Sequence, residues 1–579
     1  MLFGSNADPI NVLEEEQMTG PIKMIAKNFF HNKIALFGMI LFSFILLCCI
    51  ILPFFFPIDL NGNDVSQQNI APGMDFMKYP KELNGNVKQI AVGGSFSVGL
   101  SKDGKVYQWG KISKDLKKIP SFPRKITQVS AGMSHAIAMD EYGQIYTWGF
   151  RRMGLGTVPM DIQDLSGKKQ IVAGYQISFV LTEDGHIHYW GNDNLINMSL
   201  NDYQGQIDKL IVNNTTVLGI TKDGKAVSLS ANANAFDIIP QMDEKVVDIV
   251  MTNQVAVALT ESGKLYSWGE STSEEIALPA NATNIKSISS GIKHFSAVTK
   301  DGQIISWGNN KYNQAKAPKG DYIAIFSGSN QNYAITKDGD IKTFGLKGYL
   351  MGTDFYGRDV FSRLLTGGRM TMTIGAISVI IATIIGVIIG GLSGYYGGKI
   401  DMVLMRIAEV VGSLPFLPFA MILSVFIGNS ISETARIALI MVILGVLSWP
   451  GLARLVRAQI LAEREKEFVT AAKAVGIKEW SIIFKHIMPN VIAVIIVSTT
   501  LSFASSMLTE SSLSFLGFGV VEPSATWGNM LTGSQSSTVL VDNWWRWLFP
   551  AIALSVSTIS INVIGDGLQA AIDPKSNDR

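Results

Sequence analysis

The sequence is poor in the residues from which disulfide frameworks and metal sites are built. It has two cysteines, Cys48 and Cys49, which are adjacent within an apolar run, and six histidines among 579 residues. Such a pair gives neither a disulfide framework nor a Cys-x-x-Cys motif. His186 and His188 share one face of a predicted strand, but two ligands without a third make a weak metal site. The sequence therefore predicts no metal and no cofactor bound by this chain.

Charged residues are also scarce, at 16% of the chain against 47% hydrophobic residues. Soluble proteins contain about 25% charged residues. The deficit is concentrated outside residues 57–350, in long uncharged runs. The net charge of +1 gives no reason to expect a nucleic-acid partner. The order of residues defines no Ser-His-Asp or paired-carboxylate arrangement, so no catalytic residue is predicted.

Six long apolar runs predict transmembrane helices, because about 20 apolar helical residues cross the hydrocarbon core of a membrane. Five of the runs are continuous. They are residues 34–56, 371–396, 437–453, 491–509 and 547–564. The sixth run, residues 410–432, contains Pro415 and Pro418, so a kinked helix is expected there.

Lysine and arginine in the short connections predict the orientation, because cytoplasmic loops are enriched in them. They cluster before the first run, between the second and third, between the fourth and fifth, and after the sixth. These residues are Lys23, Lys27, Lys33, Lys399, Arg406, Arg454, Arg457, Arg464, Lys466, Lys473, Lys478, Lys485, Lys575 and Arg579. Both termini are therefore expected inside and residues 57–370 outside. The spacing of Ile22, Ile25, Phe29 and Phe30 fits a helix along the inner surface, and equally a frayed tail.

A repeated unit of about 39 residues lies between the first and second runs. Each unit has a short apolar strand, a turn glycine and a second strand that in most units ends in Trp-Gly. The turn glycines are Gly104, Gly143, Gly185, Gly224, Gly263, Gly302 and Gly339. Asp-Gly pairs favour the tight type I′ hairpin turn. One hairpin cannot bury its apolar face, whereas seven arranged radially can, so a seven-bladed β-propeller is predicted.

The pattern Val-x-x-Gly-x-x-x-x-Ala-x-Thr-x-Asp-Gly-x-x-x-x-Trp-Gly resembles the regulator of chromosome condensation repeat over roughly residues 86–346. The match departs from that repeat at Glu141-Tyr142-Gly143 and at Ser262-Gly263. The resemblance implies the propeller fold, and fold alone assigns no function.

The segment before the second run reads G-T-D-x-x-G-R-D-V-x-S-R. It resembles the C-type permease subunit of oligopeptide and dipeptide ABC transporters, which carries this motif at this place. The motif residues singled out are Gly352, Thr353, Asp354, Gly357, Arg358 and Asp359. Further matches begin at Glu510, Trp527 and Gly565. The resemblance covers residues 350–579 closely and 1–56 loosely.

Residues 463–489 resemble the EAA loop of importer permeases. Thr470 stands where the family has Glu, and Met488 where it has Leu. One apolar helical face is predicted from Phe468, Ala471, Ala472 and Val475, and a second from Trp480, Ile483, Phe484 and Ile487. The resemblance implies that two short helices insert into a groove of an ATPase subunit. The candidate coupling residues are Phe468, Thr470, Ala471, Ala472, Gly476 and Pro489.

The predicted fold is mixed, a six-helix membrane permease domain with an inserted all-β seven-bladed propeller. The predicted order is a cytoplasmic segment (1–33), a first transmembrane helix (34–56), an extracellular linker (57–85), the propeller (86–348), an extracellular pre-span motif (349–370), a permease core with five transmembrane helices (371–572) and a cytoplasmic tail (573–579). Glu510 and Asp566 lie near the ends of the predicted fifth and sixth spans. Side chains at span ends can extend to water, so a structural role is expected first for both.

The resemblance implies transport of oligopeptides or dipeptides across a bacterial cytoplasmic membrane, with nickel or another small solute as the alternative cargo. It implies a homologous second permease, two ATPase subunits that bind ATP and Mg²⁺, and an extracellular solute-binding lipoprotein. The chain itself is not expected to be an enzyme. Residues 99–105 and 219–225 resemble the start of a phosphate-binding loop, but Val106 and Ala226 follow them where such a loop needs Ser or Thr, so neither segment is expected to bind ATP.

The role of the propeller has two interpretations. It is either an extracellular platform that touches the binding protein, the peptide or the cell wall, or an insertion tolerated in an exposed loop. A different class of function also stays open, a membrane-anchored receptor or adhesion protein whose propeller binds ligand. One span would suffice for such a protein, and an EAA loop would be unnecessary.

Overall fold

A computed structural model describes residues 21–58, 62–195, 202–213, 216–230, 235–428 and 432–572. The chain forms two compact units, a membrane unit (Met1–Gly62 and Arg358–Arg579) and a propeller unit (Asn63–Gly357). Most of the predicted segment 1–33 lies outside the described residues, and so does the predicted tail 573–579, including Lys575 and Arg579.

The propeller unit contains seven three-stranded antiparallel sheets, and the strands of each sheet pair in chain order. The first four blades are β1 (Val87–Val92), β2 (Phe96–Ser101), β3 (Val106–Gly110); β4 (Ile126–Ala131), β5 (His135–Asp140), β6 (Ile145–Gly149); β7 (Lys168–Ala173), β8 (Ile177–Thr182), β9 (Ile187–Gly191); and β10 (Ile207–Asn213), β11 (Thr216–Thr221), β12 (Ala226–Ser228). The last three are β13 (Val246–Met251), β14 (Val255–Thr260), β15 (Leu265–Gly269); β16 (Ile285–Ser290), β17 (His294–Thr299), β18 (Ile304–Gly308); and β19 (Tyr322–Ser327), β20 (Gln331–Thr336), β21 (Ile341–Gly345).

The first strands of successive blades contact one another, and β1 contacts β19. The seven sheets therefore close into a ring, which confirms the predicted seven-bladed propeller. The middle strands are buried almost throughout, as expected for short, mostly apolar runs such as Ile177–Thr182. The hairpin turns need glycine because the backbone takes positive φ there. At Gly185, for example, φ is 92°. Buried tryptophans of the Trp-Gly pairs, such as Trp148, fill the space between blades.

The fourth blade has a shortened last strand of three residues. Leu229 and Ser230 stand there in place of Trp-Gly. Leu229 is fully buried and packs in the same cluster as Ile207 and Val217. A smaller apolar side chain thus fills the inter-blade position in this blade.

The propeller unit extends on both sides of the segment 86–348. Thr353 donates a hydrogen bond from Oγ1 to the carbonyl of Gln67 (2.5 Å), and the same oxygen accepts one from the N–H of Ile70 (2.7 Å). Leu83 packs with Trp109 of the first blade and Ile341 of the last. Much of the sequence-predicted linker 57–85 therefore belongs to the propeller unit and closes its ring.

The membrane unit contains five described helices that are long and apolar enough to cross a membrane, or six crossings if one bent helix pair is counted as a span. Its helices are α1 (Pro21–His31), α2 (Lys33–Ile51), α3 (Val360–Tyr396), α4 (Gly398–Ser413), α5 (Phe416–Gly428), α6 (Glu433–Glu463), α7 (Glu467–Ala474), α8 (Glu479–Ser481), a π-helical segment (Ile482–Ile487), α9 (Met488–Phe515), α10 (Trp527–Leu531), α11 (Ser537–Asp542) and α12 (Trp545–Ile572). The helical permease domain agrees with the predicted fold class.

The segment before the first span, for which a helix and a frayed tail were both predicted, is a helix. Phe29 of α1 is buried and packs with Ala35 of α2 and Ala571 of α12, whereas Phe30 is exposed. The helix α1 is therefore docked on the bundle through one apolar side, and a frayed tail does not describe it.

Most predicted spans are longer in the structure, and two of them differ from the prediction for a clear local reason. The helix predicted from residue 371 begins at Val360, because Asp359 caps it by accepting a hydrogen bond from the N–H of Ser362 (3.0 Å). The kinked helix predicted over residues 410–432 is a sharper break. Two helices, α4 and α5, meet at 82°. Pro415 stands in the break, where it lacks an N–H to continue the first helix.

Small residues allow α3 and α6 to approach closely. A Cβ atom added at Gly390 would lie 2.4 Å from the carbonyl oxygen of Ala453, and one at Gly386 would lie 3.1 Å from Leu452. Close backbone approach through glycine is the usual means of packing helices in membranes, where no hydrophobic effect drives their association. Among the described helices this pair makes the most extensive contact.

Candidate coupling site

The loop between α6 and α9 places two helical segments at the end of the helix bundle. The first, α7, ends just before Gly476, whose φ of 78° turns the chain. A Cβ at this position would meet no atom within 4 Å, so glycine is required for its φ and not for space. The predicted second short helix is instead continuous with α9 through the π-helical segment. Pro489 follows that segment, consistent with the missing N–H of proline disturbing the regular α-helical ladder.

The first helix of the loop has one buried face and one exposed face. Val469 is fully buried and Ala472 is 8% exposed, and α7 contacts the π-helical segment. Both residues belong to one buried cluster that also includes Val456 and Ile460 of α6. Phe468, by contrast, is 37% exposed. The residues of the exposed side are Phe468, Thr470, Ala471 and Val475.

The predicted apolar faces are therefore divided. Ala472 belongs to the face predicted to meet a partner, but it is buried in the apolar cluster of its own bundle, because α7 packs on the π-helical segment. In the second segment Ile483 and Ile487 are buried as well, whereas Trp480 is 58% exposed. The Trp480 ring lies 4.3 Å from that of Phe484, centroid to centroid. Side chains from both segments thus leave an exposed apolar surface, defined here as the coupling surface: Phe468, Ala471, Val475 and Trp480.

An ionic cluster lies beside the buried face of the loop. Arg457 of α6 donates from Nε and Nη2 to the two carboxylate oxygens of Asp401, at 2.5 Å each. Ser393 of α3 donates to the same carboxylate. Arg464 donates from Nη1 to the carbonyls of Gly394 (3.1 Å) and Tyr395 (3.3 Å). These contacts, called the Asp401 cluster, join the end of α3 and the start of α4 to α6.

A second cluster lies at the other end of α3. Arg358 donates to both carboxylate oxygens of Glu522, at 2.6 and 3.0 Å. Arg363, whose side chain is 2% exposed, donates from Nη2 to the same two oxygens, at 3.0 and 3.1 Å. These contacts, called the Glu522 cluster, tie the segment before α10 to the start of α3. Glu522 was not predicted from the sequence, because it belongs to none of the motifs.

The motif that precedes the second span is split between the two units. Gly352, Thr353, Asp354 and Gly357 lie in the propeller unit, whereas Arg358 and Asp359 begin the membrane unit. The carbonyl of Asp354 accepts a hydrogen bond from the N–H of Asn69 (2.9 Å). The carbonyl of Asp64 lies so close to Gly357 that a Cβ atom there would be 2.2 Å from its oxygen, so this glycine is required by packing within the propeller unit.

Glu510 of α9 is fully buried. Ser514 donates a hydrogen bond from Oγ to its carboxylate at 2.7 Å. Within the described part of the chain, no group of three or more His, Cys, Asp or Glu side chains is placed to hold a metal ion.

Three family matches cover different parts of the chain. Residues 371–578 match the binding-protein-dependent transport system inner membrane component. Residues 20–72 match the N-terminal TM domain of oligopeptide transport permease C. Residues 87–111 and 285–314 match the regulator of chromosome condensation repeat.

Individual relatives agree with the first two matches. The dipeptide transport system permease protein DppC of Bacillus subtilis is 43% identical over 224 residues, which cover 39% of this chain and 68% of that protein. The oligopeptide transport system permease protein OppC of Escherichia coli is 42% identical over 228 residues, which cover 39% of this chain and 73% of that protein.

Solved structures match parts of the chain. The CRINKLY WD40 ectodomain of an Arabidopsis thaliana receptor kinase is 16% identical and matches 45% of this chain and 96% of its own, with a TM-score of 0.37. The MetNI methionine ABC transporter is 20% identical and matches 37% of this chain and 97% of its own, with a TM-score of 0.30.

The motif at the start of α3, the loop before α9 and the identity to transport permeases over most of their length agree with one another. The chain therefore belongs to the family of binding-protein-dependent transport permeases, and a propeller of the regulator-of-chromosome-condensation type is inserted in it between α2 and α3.

Proposed function

We propose that the chain is the translocation subunit of an ATP-driven importer that moves oligopeptides or dipeptides across the cytoplasmic membrane. Membership of the permease family supports a transport role, and the named activities of the relatives support peptide as the cargo. The proposed complex contains a homologous second permease, two ATPase subunits that bind ATP and Mg²⁺, and an extracellular solute-binding lipoprotein. The permease itself performs no chemistry on the cargo.

The main observation behind this proposal is the group of exposed apolar side chains on the coupling surface. Phe468, Val475 and Trp480 are 37%, 81% and 58% exposed. The helix that bears Phe468 nevertheless buries its other face. Exposed apolar side chains grouped on one surface mark an interaction site. A helical knob of this kind suits a hydrophobic groove on an ATPase subunit.

The buried face of α7 gives a route by which ATPase motion reaches the spans. Val469 and Ala472 share one buried cluster with Val456 and Ile460 of α6, and the Asp401 cluster joins α6 to the start of α4. We propose that a shift of α7 is passed through this buried cluster to α6 and α4. We propose that this motion alternates access to the pathway, with the bend between α4 and α5 as the part that yields.

The proposed orientation places the coupling loop and both termini in the cytoplasm and the propeller outside. The basic residues of the short connections support this arrangement. A coupling loop that binds an ATPase subunit must also face the cytoplasm. Because successive spans cross the membrane in opposite directions, residues 63–357 then lie outside. We further propose that the propeller is an extracellular platform.

Adjacent alanines in α7 provide a matched test of ATPase docking. Ala471 is exposed and Ala472 is buried against the bundle. In the assembled complex, a cysteine introduced by Ala471→Cys should crosslink to a cysteine in the ATPase groove, whereas Ala472→Cys should not. Equal crosslinking at both positions, or none at Ala471→Cys in a complex that hydrolyses ATP, would exclude the coupling surface as the docking site.

A further inference from the structure

The rim of the propeller is divided into a basic and an acidic side. Six connections lead from the last strand of one blade to the first strand of the next. The connection from the first to the second blade, residues 111–125, carries six basic and one acidic residue. The connection from the sixth to the seventh, residues 309–321, carries three basic and one acidic.

The other connections show that this charge is not a requirement of the fold. Residues 150–167 carry two basic and two acidic residues, and residues 192–206 carry only two acidic ones. Residues 229–245 carry one basic and three acidic residues, and residues 270–284 carry three acidic ones and no basic one. Because all six join equivalent strands, the repeats act as internal controls, and the basic excess belongs to one side of the ring.

Three lysines of the first connection form its exposed part, defined here as the lysine strip: Lys114, Lys117 and Lys118. All three are exposed, and none forms an ion pair with any residue that the structure describes. Lys111 differs, because its ammonium group donates a hydrogen bond to the carbonyl of Gln68 (2.5 Å). The strip therefore presents three positive charges to solvent without a described carboxylate at ion-pair distance.

The backbone beneath the strip is held in place. Leu116, between the lysines, is 3% exposed, and its carbonyl accepts a hydrogen bond from Nε2 of Gln108 (2.7 Å). The N–H of Lys117 donates to the carbonyl of Ser113 (3.0 Å). Phe122 packs edge-on against Tyr146, with ring centroids 5.2 Å apart. The lysines thus extend from an ordered turn at a fixed spacing.

The composition of the strip indicates the kind of partner. Protein interfaces are depleted in lysine and enriched in arginine and aromatic residues. The strip has only lysine, which binds phosphate as a point charge, and it lacks the arginine fork that gives bidentate recognition of single carboxylate or phosphate groups. An extended polymer can reach several lysines along a convex rim without needing a pocket.

We infer that the lysine strip binds a phosphate-bearing polyanion of the extracellular surface, a soluble phosphodiester polymer chain and not the membrane itself. This inference rests on the proposed outward placement of the propeller. The acidic connections on the other side of the ring repel such a polymer, so binding at the strip orients the propeller with its first blade toward it. The propeller then anchors the permease beside the polymer.

The test uses the full-length protein in phosphatidylcholine nanodiscs and labelled poly(glycerol phosphate) as the probe. One variant combines Lys114→Gln, Lys117→Gln and Lys118→Gln. The control combines Lys222→Gln, Lys225→Gln and Lys245→Gln, which removes the same charge from exposed positions in the fourth and fifth blade region. The strip variant should bind about tenfold more weakly at low salt, with a salt dependence reduced by about two to three counterions. The control should bind like the unmodified protein.

Several results would overturn the inference. They are no polymer binding to the unmodified protein at low salt, equal losses in both variants, or binding to phosphatidylglycerol vesicles without binding to the polymer. Loss of binding-protein docking in the strip variant, with polymer binding intact, would assign the strip to a protein partner instead. The assay contains no ATPase and no peptide, so its failure is distinct from failure of peptide transport in reconstituted vesicles.

Discussion

Replacing Asp401 by asparagine perturbs the route from the coupling surface to the spans. Asp401→Asn keeps one acceptor oxygen and removes the charge, so Arg457 retains one of its two bonds to this side chain. A hydrogen bond to a charged group contributes about 1.5–3 kcal/mol. The Asp401 and Arg457 side chains are 17% and 35% exposed. Water therefore replaces part of the lost interaction, and a loss of about 1–2 kcal/mol is expected.

Losing that free energy weakens the contact between α4 and α6, so the two helices are expected to move less as one body. In proteoliposomes with the ATPase subunits, the number of peptides moved per ATP hydrolysed should fall about 5- to 30-fold. ATP hydrolysis itself should continue. Glu409→Gln is the matched control on α4. The pair that Glu409 forms with Arg406 has side chains that are 57% and 76% exposed. Such an exposed ion pair contributes little to stability.

A double variant separates coupling from general damage. If Asp401 and Arg457 act as a pair, Asp401→Asn combined with Arg457→Gln should be no worse than the more severe single variant. An unchanged ratio of transport to hydrolysis in Asp401→Asn would rule out this coupling route. So would a parallel loss of hydrolysis, uptake and assembled complex, because that pattern indicates only a folding defect.

Three further predictions concern other parts of the chain. Burial lowers the pKa of His135 and His294 from 6.5 to about 4. Between those pH values the unfolded chain binds protons that the folded propeller does not, so stability falls as the pH falls from 6.5 to 4. Thermal unfolding should show this slope, and His135→Gln with His294→Gln should flatten it. At the Glu522 cluster, a bond to a charged group contributes about 1.5–3 kcal/mol, and the lower end applies where the carboxylate is partly exposed. Glu522→Gln should lower the free energy of unfolding of the membrane unit by about 1.5 kcal/mol, measured by thermal unfolding. Glu465→Gln, at a highly exposed carboxylate, should leave it unchanged. A left-handed backbone conformation costs a residue with a Cβ about 1–2 kcal/mol. Gly476→Ala should weaken ATPase association accordingly and Gly476→Asn less, since asparagine tolerates positive φ, whereas equal effects would show that φ is not the cause.

The propeller strands were predictable because each repeat carries its own local signals. The turn glycines and the tryptophans recur at nearly constant spacing, and most blades use them in the same way. The closing segment has no such repeat. Leu83 packs in the last blade as well as the first, and Thr353 bonds to Gln67 and Ile70 at the opposite end of the unit's sequence. No local pattern encodes contacts between such distant parts of the chain.

The coupling loop was predictable as a helical segment, but the direction of its faces was not. Phe468, Ala471, Ala472 and Val475 lie on one broad side of α7, and only the angle at which α7 packs on the π-helical segment decides that Ala472 turns inward.

The two ionic clusters were not predictable for a related reason. Asp401 and Arg457 are 56 residues apart in the sequence. Glu522 lies 159 residues from Arg363. The sequence therefore shows these charges without showing which of them pair.

Peptide uptake by the reconstituted complex tests the proposed transport role itself. Proteoliposomes would contain this chain, its partner permease and the ATPase subunits, with ATP on the ATPase side and labelled dipeptide or oligopeptide with the binding protein on the other. We predict ATP-dependent accumulation of peptide that is abolished when Phe468→Asp and Trp480→Asp disrupt the coupling surface. Accumulation that persists in that variant would exclude the coupling surface, and no accumulation in the unmodified complex despite active ATP hydrolysis would exclude peptide import.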